Sequence, residues 1–280
     1  MDFFWVFGAV VLFGLAIYGM QVWTVRSVLS SRRETGQGSG EFPFSPPISI
    51  LKPLKGLEDN LFDNLESFCL QDYPVYEVVL SLQDENDPAY KVCRKIQEKF
   101  KEKAISIVVE RSALGLNPKV NNLVAAYRHS AYATILISDS NVKVDPHYLK
   151  AITPPLTDPD VGLVCNLIRG VGGKTLGSIF ENLHLNSYIV GNVCWLEKWM
   201  GVPCVIGKSM LMRKADLEAI GGFHSIKDVL AEDHFIGVRI RQRKQRIVVS
   251  KHLISNVNNY WGLSKFINRH VRWGKMRWKI

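Results

Sequence analysis

Residues 3–23 (FFWVFGAVVLFGLAIYGMQVW) are an unbroken apolar run in which Gln21 is the one strongly polar side chain. At 1.5 Å per residue this predicts a helix roughly 30 Å long, about the thickness of a bilayer's hydrocarbon core. No polar face interrupts it, as one would in a core helix of a water-soluble domain. The acidic Met1-Asp2 precedes the run, and Arg26, Arg32 and Arg33 follow it. A secretory signal would place basic residues first and a small-residue cleavage site after, so the pattern reads as an anchor. The positive charge beyond the span places the rest of the protein on the cytoplasmic side. Residues 34–47 (ETGQGSGEFPFSPP) have the Gly, Ser and Pro content of a linker. The expected order is therefore an anchor over 1–25 and a linker over 26–47.

The pattern then changes to short apolar runs alternating with helical spacing. Residues 48–51 (ISIL) are strand-like until Pro53 and Gly56, and Leu61, Leu65 and Phe68 recur at helical intervals. Strands are predicted over 76–82, 105–109, 133–137 and from 161, with helices over 88–101 and 120–129. Such alternation predicts an α/β domain with a largely parallel sheet covered by helices on both faces. Ligands then sit at the carboxyl ends of the strands. Residues 191–212, with Trp195 and Trp199, are unusually apolar. They read equally as core or as a surface that accepts a lipid or touches the bilayer.

With 280 residues the chain holds one such domain and a small appendage, and 47% hydrophobic residues exclude a disordered chain. The formal charge of +9 suits nucleic acid, anionic headgroups or a phosphorylated substrate. The anchor disfavours nucleic acid. Cys69, Cys93, Cys165, Cys194 and Cys204 form no C-x-x-C pair, which points to free thiols and to neither a disulfide framework nor a zinc site.

Three acidic positions follow predicted strands or open a helix: Asp84 in QDENDP, Asp139 in SDSN and Asp233 in AEDH. Any one alone is as readily a helix cap or a solvated turn. Near the end, a helix puts Arg269, Arg272 and Trp273 on one side at i, i+3 and i+4. Paired guanidinium forks match a pyrophosphate. The same segment, 263–280, also reads as a basic amphipathic helix on anionic lipid with Trp261, Trp273 and Trp278 at the interface, and the two roles are compatible. His184 and His234 read first as structural.

The order KPLKG (52–56), QDENDP (83–88), NPKVNNL (117–123), SDS (138–140), AEDHF (231–235) and RHVRW (269–273) resembles the ceramide glucosyltransferase family. The related bacterial hopanoid-biosynthesis glycosyltransferases share much of it. The resemblance spans residues 48–280 and implies a GT-A glycosyltransferase fold, a Rossmann-like mixed sheet, as the catalytic domain over 48–262. By the same resemblance Asp84 contacts the uridine of a UDP-sugar, and Asp139 lies near the sugar-phosphate with a divalent cation, Mg²⁺ or Mn²⁺. Asp233 is the catalytic base, Arg269, Arg272 and Trp273 cradle the diphosphate, and Lys119 and Asn122 flank the donor.

Two departures stand out. Many GT-A enzymes carry Asp-x-Asp, where this chain has Asp139-Ser140-Asn141. Relatives also continue into further hydrophobic segments, so the chain is expected to be a portion of a longer one. The implied activity is inverting transfer of a hexose, glucose first, to a lipid hydroxyl of ceramide type. A hopanoid-lipid N-acetylglucosaminyltransferase is the alternative. A processive polysaccharide synthase and a non-catalytic UDP-sugar-binding membrane module are weaker ones. A lipid hydroxyl needs a carboxylate to take its proton, and one base with direct displacement gives inversion.

Overall fold

A computed structural model describes residues 2–30 and 44–279. Most of the expected linker, 31–43, lies outside the described residues. Helix α1 (Asp2–Ser30) runs five residues past the expected anchor. It is the one helix among the described residues long and apolar enough to cross a membrane. Phe4, Phe7, Leu12 and Phe13 are exposed along it.

The domain begins with β1 (Ile48–Pro53), α2 (Leu61–Cys69), β2 (Tyr76–Leu82), α3 (Pro88–Lys99), β3 (Ile105–Val109), α4 (Pro118–Arg128), β4 (Thr134–Ile137) and the short β5 (Val142–Lys143). It continues through α5 (Tyr148–Ile152), β6 (Val161–Val171), α6 (Leu176–His184), α7 (Val190–Met200), β7 (Met210–Arg213) and α8 (Lys214–Ala219). It ends with α9 (Glu232–Gln242), β8 (Arg246–Val257) and α10 (Leu263–Lys279). A π-helical turn, Leu185–Ile189, joins α6 to α7.

The strands form one sheet in the order β3-β2-β1-β4-β7-β6-β8-β5. Strands β3, β2, β1 and β4 are parallel. Strand β7 runs antiparallel to both β4 and β6, and β5 is antiparallel to β8. The sheet is thus mixed and curled, with β4 and β5 joined only by residues 138–141. Alternation divides the central strands between two cores. Ile48, Ile50 and Leu80 pack with Phe68 and Ile96 on one face, and Leu51, Val79, Ile135 and Ile137 pack with Leu123 and Ile236 on the other. Burial on both faces is why β1 shows no alternation of buried and exposed positions.

Two Asx-Pro pairs start helices that follow β2 and β3. Asn117 accepts from Lys119 N at 3.0 Å ahead of Pro118, and Asp87 accepts from Ala89 N at 2.8 Å ahead of Pro88. The polar exception in the apolar run of α1 is also accounted for. Gln21 Nε2 donates to Asn192 Oδ1 at 3.0 Å, and Trp199 Nε1 donates to Thr24 Oγ1 at 3.1 Å. Helix α1 therefore docks on α7. The five cysteines are free thiols.

Candidate active site

The residues of the candidate site come from the ends of β2 and β4, the N-termini of α4 and α9, the loop before β7, and α10. They surround two cavities that share a wall. The first, about 1160 Å³, is lined by Asp84, Lys119, Asn122, Asp139, Arg269 and Arg272, among others. Six of the seven expected donor-binding residues are thus brought together. The second, about 980 Å³, is more apolar; Ile189, Val193 and Leu196 line it with Asp233 and His234. Lys119, Asp139, Lys208, Arg269 and Arg272 line both, so the cavities meet there.

Asp139 sits at the carboxyl end of β4 between two ammonium groups. Lys119 Nζ is 2.7 Å from its Oδ1 and Lys208 Nζ is 2.9 Å from its Oδ2. Burial pushes this carboxyl up, but Lys119 and Lys208 outweigh it and hold it well below the usual carboxylate range. Lys119 also reaches Glu232 Oε1 at 2.7 Å, and Glu232 Oε2 accepts from Asn117 Nδ2 at 3.2 Å. Burial opposes the charge on Lys119, yet Asp139, Glu232 and Asp233 raise its pKa above the ordinary lysine value. Beneath this layer Lys52 is fully buried. Its Nζ donates to the Asp139 carbonyl at 2.5 Å and lies 3.9 Å from the centre of the Phe68 ring. Burial brings its pKa down to about 7.

Asp233 opens α9, with the N–H of Gly207 donating to Oδ2 and that of His234 to Oδ1, each at 2.8 Å. Burial is the main cause that raises its pKa, and the neighbouring Glu232 adds to it. Gly207 was not singled out from the sequence, and neither was Lys208. A Gly-Lys pair has no periodicity of its own, and only the antiparallel pairing of β7 with β4 carries it to Asp139.

The remaining calls are placed as follows. Asp84 is exposed at the end of β2, where its Oδ1 accepts from Asn86 N at 2.8 Å in a short turn. Asn122 donates to the Leu54 carbonyl at 2.8 Å, leaving its buried Oδ1 without a partner among the described residues. Arg269 lies 3.3 Å from the buried Glu181 carboxylate, with its guanidinium 4.5 Å from the Trp273 ring and 5.3 Å from Trp261. Trp273 thus stacks on Arg269 and lines the second, more apolar cavity rather than the first. Trp261, expected at a lipid interface, is instead buried. Asp59 accepts from the N–H groups of Asn259 and Tyr260 at 2.7 and 2.8 Å and so pins the chain just ahead of it. Trp278 is exposed.

The apolar stretch 191–212 proves to be both core and cavity wall. Cys194, Met210, Leu211 and Met212 are buried, while Asn192, Leu196 and residues 202–208 face the second cavity.

A divalent cation at Asp139 would need hard oxygen donors. Both Asp139 oxygens and the Asn141 Oδ1 are already paired with lysine ammonium groups. Among the described residues no group of three or more His, Cys, Asp or Glu is placed to hold a metal. The donor set as it stands does not fit the ion.

The curled mixed sheet with its acids at the strand ends is a GT-A glycosyltransferase fold. A mannosyltransferase from Pyrobaculum calidifontis, solved with GDP-Man and Mn²⁺, superposes with a TM-score of 0.62 at 19% identity, over 92% of this chain and 74% of that one. Residues 1–349 of S. aureus TarS with UDP-GlcNAc give 0.53 at 16% identity, over 77% and 60%. The chain belongs to glycosyl transferase family 21, which it matches over residues 6–280. Ceramide glucosyltransferase 1 of Caenorhabditis elegans is 32% identical over 242 residues, 84% of this chain and 50% of that protein. The chain spans about half the length of that relative.

Proposed function

We propose that this protein transfers a hexose, glucose first among candidates, from a UDP-sugar to the hydroxyl of a ceramide-type membrane lipid, with inversion. One observation carries the reading: a carboxylate with a raised pKa, Asp233, lines an apolar cavity that meets a cation-lined cavity at Asp139. The similarity to ceramide glucosyltransferase 1, and the nucleotide-sugars bound by proteins of the same fold, favour these substrates.

In this mechanism the acceptor's head enters the apolar cavity and places its hydroxyl at Asp233. The carboxylate removes the proton as the oxygen attacks the anomeric carbon, a form of base catalysis typically worth about 10²–10⁴-fold. The sugar–phosphate bond breaks on the opposite face, and UDP leaves with both electrons of that bond. Its growing charge is met by Lys119, Arg269 and Arg272, all on the shared wall. Asp84 holds the uridine end. Glu232 orients Lys119 and raises the basicity of Asp233. A divalent ion that joined the diphosphate would add positive charge there. No step needs it to reach Asp139.

The anchor fits the same scheme. Helix α1 spans the bilayer with the catalytic domain on the cytoplasmic side, and α10 lies along the headgroups. Because α1 packs on α7, whose Asn192 and Leu196 line the acceptor cavity, the lipid reaches the site from the membrane side. The test is a panel on membranes carrying the protein, with Asp233→Asn as blank. Labelled UDP-glucose, UDP-galactose and UDP-N-acetylglucosamine are each offered ceramide, a hopanoid polyol and diacylglycerol. Label passing from UDP-glucose to ceramide, and absent in the blank, is the expected result. Transfer that survives in Asp233→Asn removes the base.

A further inference from the structure

The turn after β4 carries Asp139 and Asn141 two residues apart, the spacing at which an Asp-x-Asp pair would present two carboxylates to one cation. Here an ammonium fills that role. Lys208 Nζ lies 2.9 Å from Asp139 Oδ2 and 2.8 Å from Asn141 Oδ1, and so bridges the two side chains. The position is built into the sheet. β7 pairs with β4 so that Met210 faces Ile137, which sets Lys208 just beyond the strand end, opposite the Asp139 turn. Lys52 supports the same turn from below through the Asp139 carbonyl.

The charges balance. Replacing the second carboxylate with an amide removes one negative charge, and replacing a dication with an ammonium removes one positive charge. An asparagine carbonyl also suits a lysine donor, which needs an acceptor and no compensating charge. Lys208 lines both cavities, so the bridging ammonium faces the seam where the donor's diphosphate meets the acceptor.

We infer that Lys208 is a donor-binding residue whose ammonium takes the place of a divalent cation at the Asp139–Asn141 pair, so that the diphosphate is held without added metal. The inference rests on the proposed binding of a nucleoside diphosphate sugar in the cation-lined cavity. It predicts a different charge carrier from the Mg²⁺ or Mn²⁺ expected from sequence.

The experiment measures UDP binding to the full chain in lipid nanodiscs by calorimetry, in excess chelator and in Mn²⁺. Wild type should bind UDP equally well in both. Lys208→Ala should bind about 10-fold more weakly in chelator, the scale of one charge-assisted contact, and Lys208→Arg should retain binding. The double variant Lys208→Ala/Asn141→Asp, with its second carboxylate and no ammonium, should bind UDP tightly only with Mn²⁺. Wild-type binding that appears only with Mn²⁺ overturns the inference and leaves the proposed function standing. Undiminished binding by Lys208→Ala in chelator also overturns it. Failure of wild type to bind UDP under either condition overturns the donor-site reading itself, and the inference with it.

Discussion

The N–H of Gly207 donates to Asp233 Oδ2 at 2.8 Å, and a Cβ on residue 207 would lie 2.9 Å from that same oxygen. The loop before β7 therefore holds the proposed base by backbone contact alone and leaves no room for a side chain. Gly207→Ala should push the Asp233 carboxylate aside. A displacement of this kind costs about 10²-fold in turnover when it disturbs the reacting geometry. UDP binding should change little, because Gly207 lines only the second cavity. A kcat loss at constant UDP affinity is the expected outcome, and lost UDP binding with normal kcat would contradict it.

The pH profile should report on Asp233. A general base works only when deprotonated, and burial together with Glu232 raises its pKa above the ordinary aspartate value. Turnover should therefore fall as pH drops through a midpoint above about 3.9, the unperturbed value. Glu232→Gln removes the charge that adds to the rise and should move the acid limb to lower pH. An unmoved limb would show that Glu232 does not act on the base. Measuring kcat across pH in both proteins separates this from a general loss of activity.

Arg269 and Arg272 should separate in their effects. Arg269 is tied to the buried Glu181 carboxylate at 3.3 Å, while Arg272 is exposed to the cavity. Arg272→Ala should weaken UDP binding about 10-fold, as expected for one charge-assisted contact, with an unchanged melting temperature. Glu181→Ala strands a buried guanidinium and should destabilise the fold by about 3–5 kcal/mol. Calorimetry with UDP and thermal unfolding of each variant check both. A change only in membrane attachment for Arg272→Ala would remove it from the donor site.

The parallel half of the fold was legible because β1, β2 and β4 are largely buried on both faces, which leaves a strong linear signal. Asp84, Asp139 and Asp233 were legible because each follows a strand or opens a helix. Strands β7 and β8 were not. β7 lies inside a long apolar stretch, and β8 carries Lys251, His252 and Asn256 within its run. Lys208 escaped notice for the same reason: its meaning comes from strand pairing rather than spacing. Trp261 was misplaced because a tryptophan beside a basic helix looks the same in sequence whether it faces lipid or, as here, lies beneath Lys265.

Lys52 gives the stability of the domain a sign that can be checked. Its ammonium is buried under the Asp139 turn, and burial lowers its pKa to about 7 from the usual 10.5. Between those values the unfolded chain binds a proton that the folded chain has released. Stability therefore rises with pH across that window, and the penalty for burying the charged form is full below pH 7. Lys52→Met removes the titrating group and fills similar space against Phe68. Its melting temperature should lack the part of the rise between about pH 7 and 10.5 that wild type shows. The variant should also lose affinity for UDP, because Lys52 Nζ no longer holds the Asp139 carbonyl. Matching pH–stability curves for the two proteins would mean that the buried ammonium stays charged throughout. The support for the Asp139 turn would then be a permanent ion rather than one that titrates near neutrality.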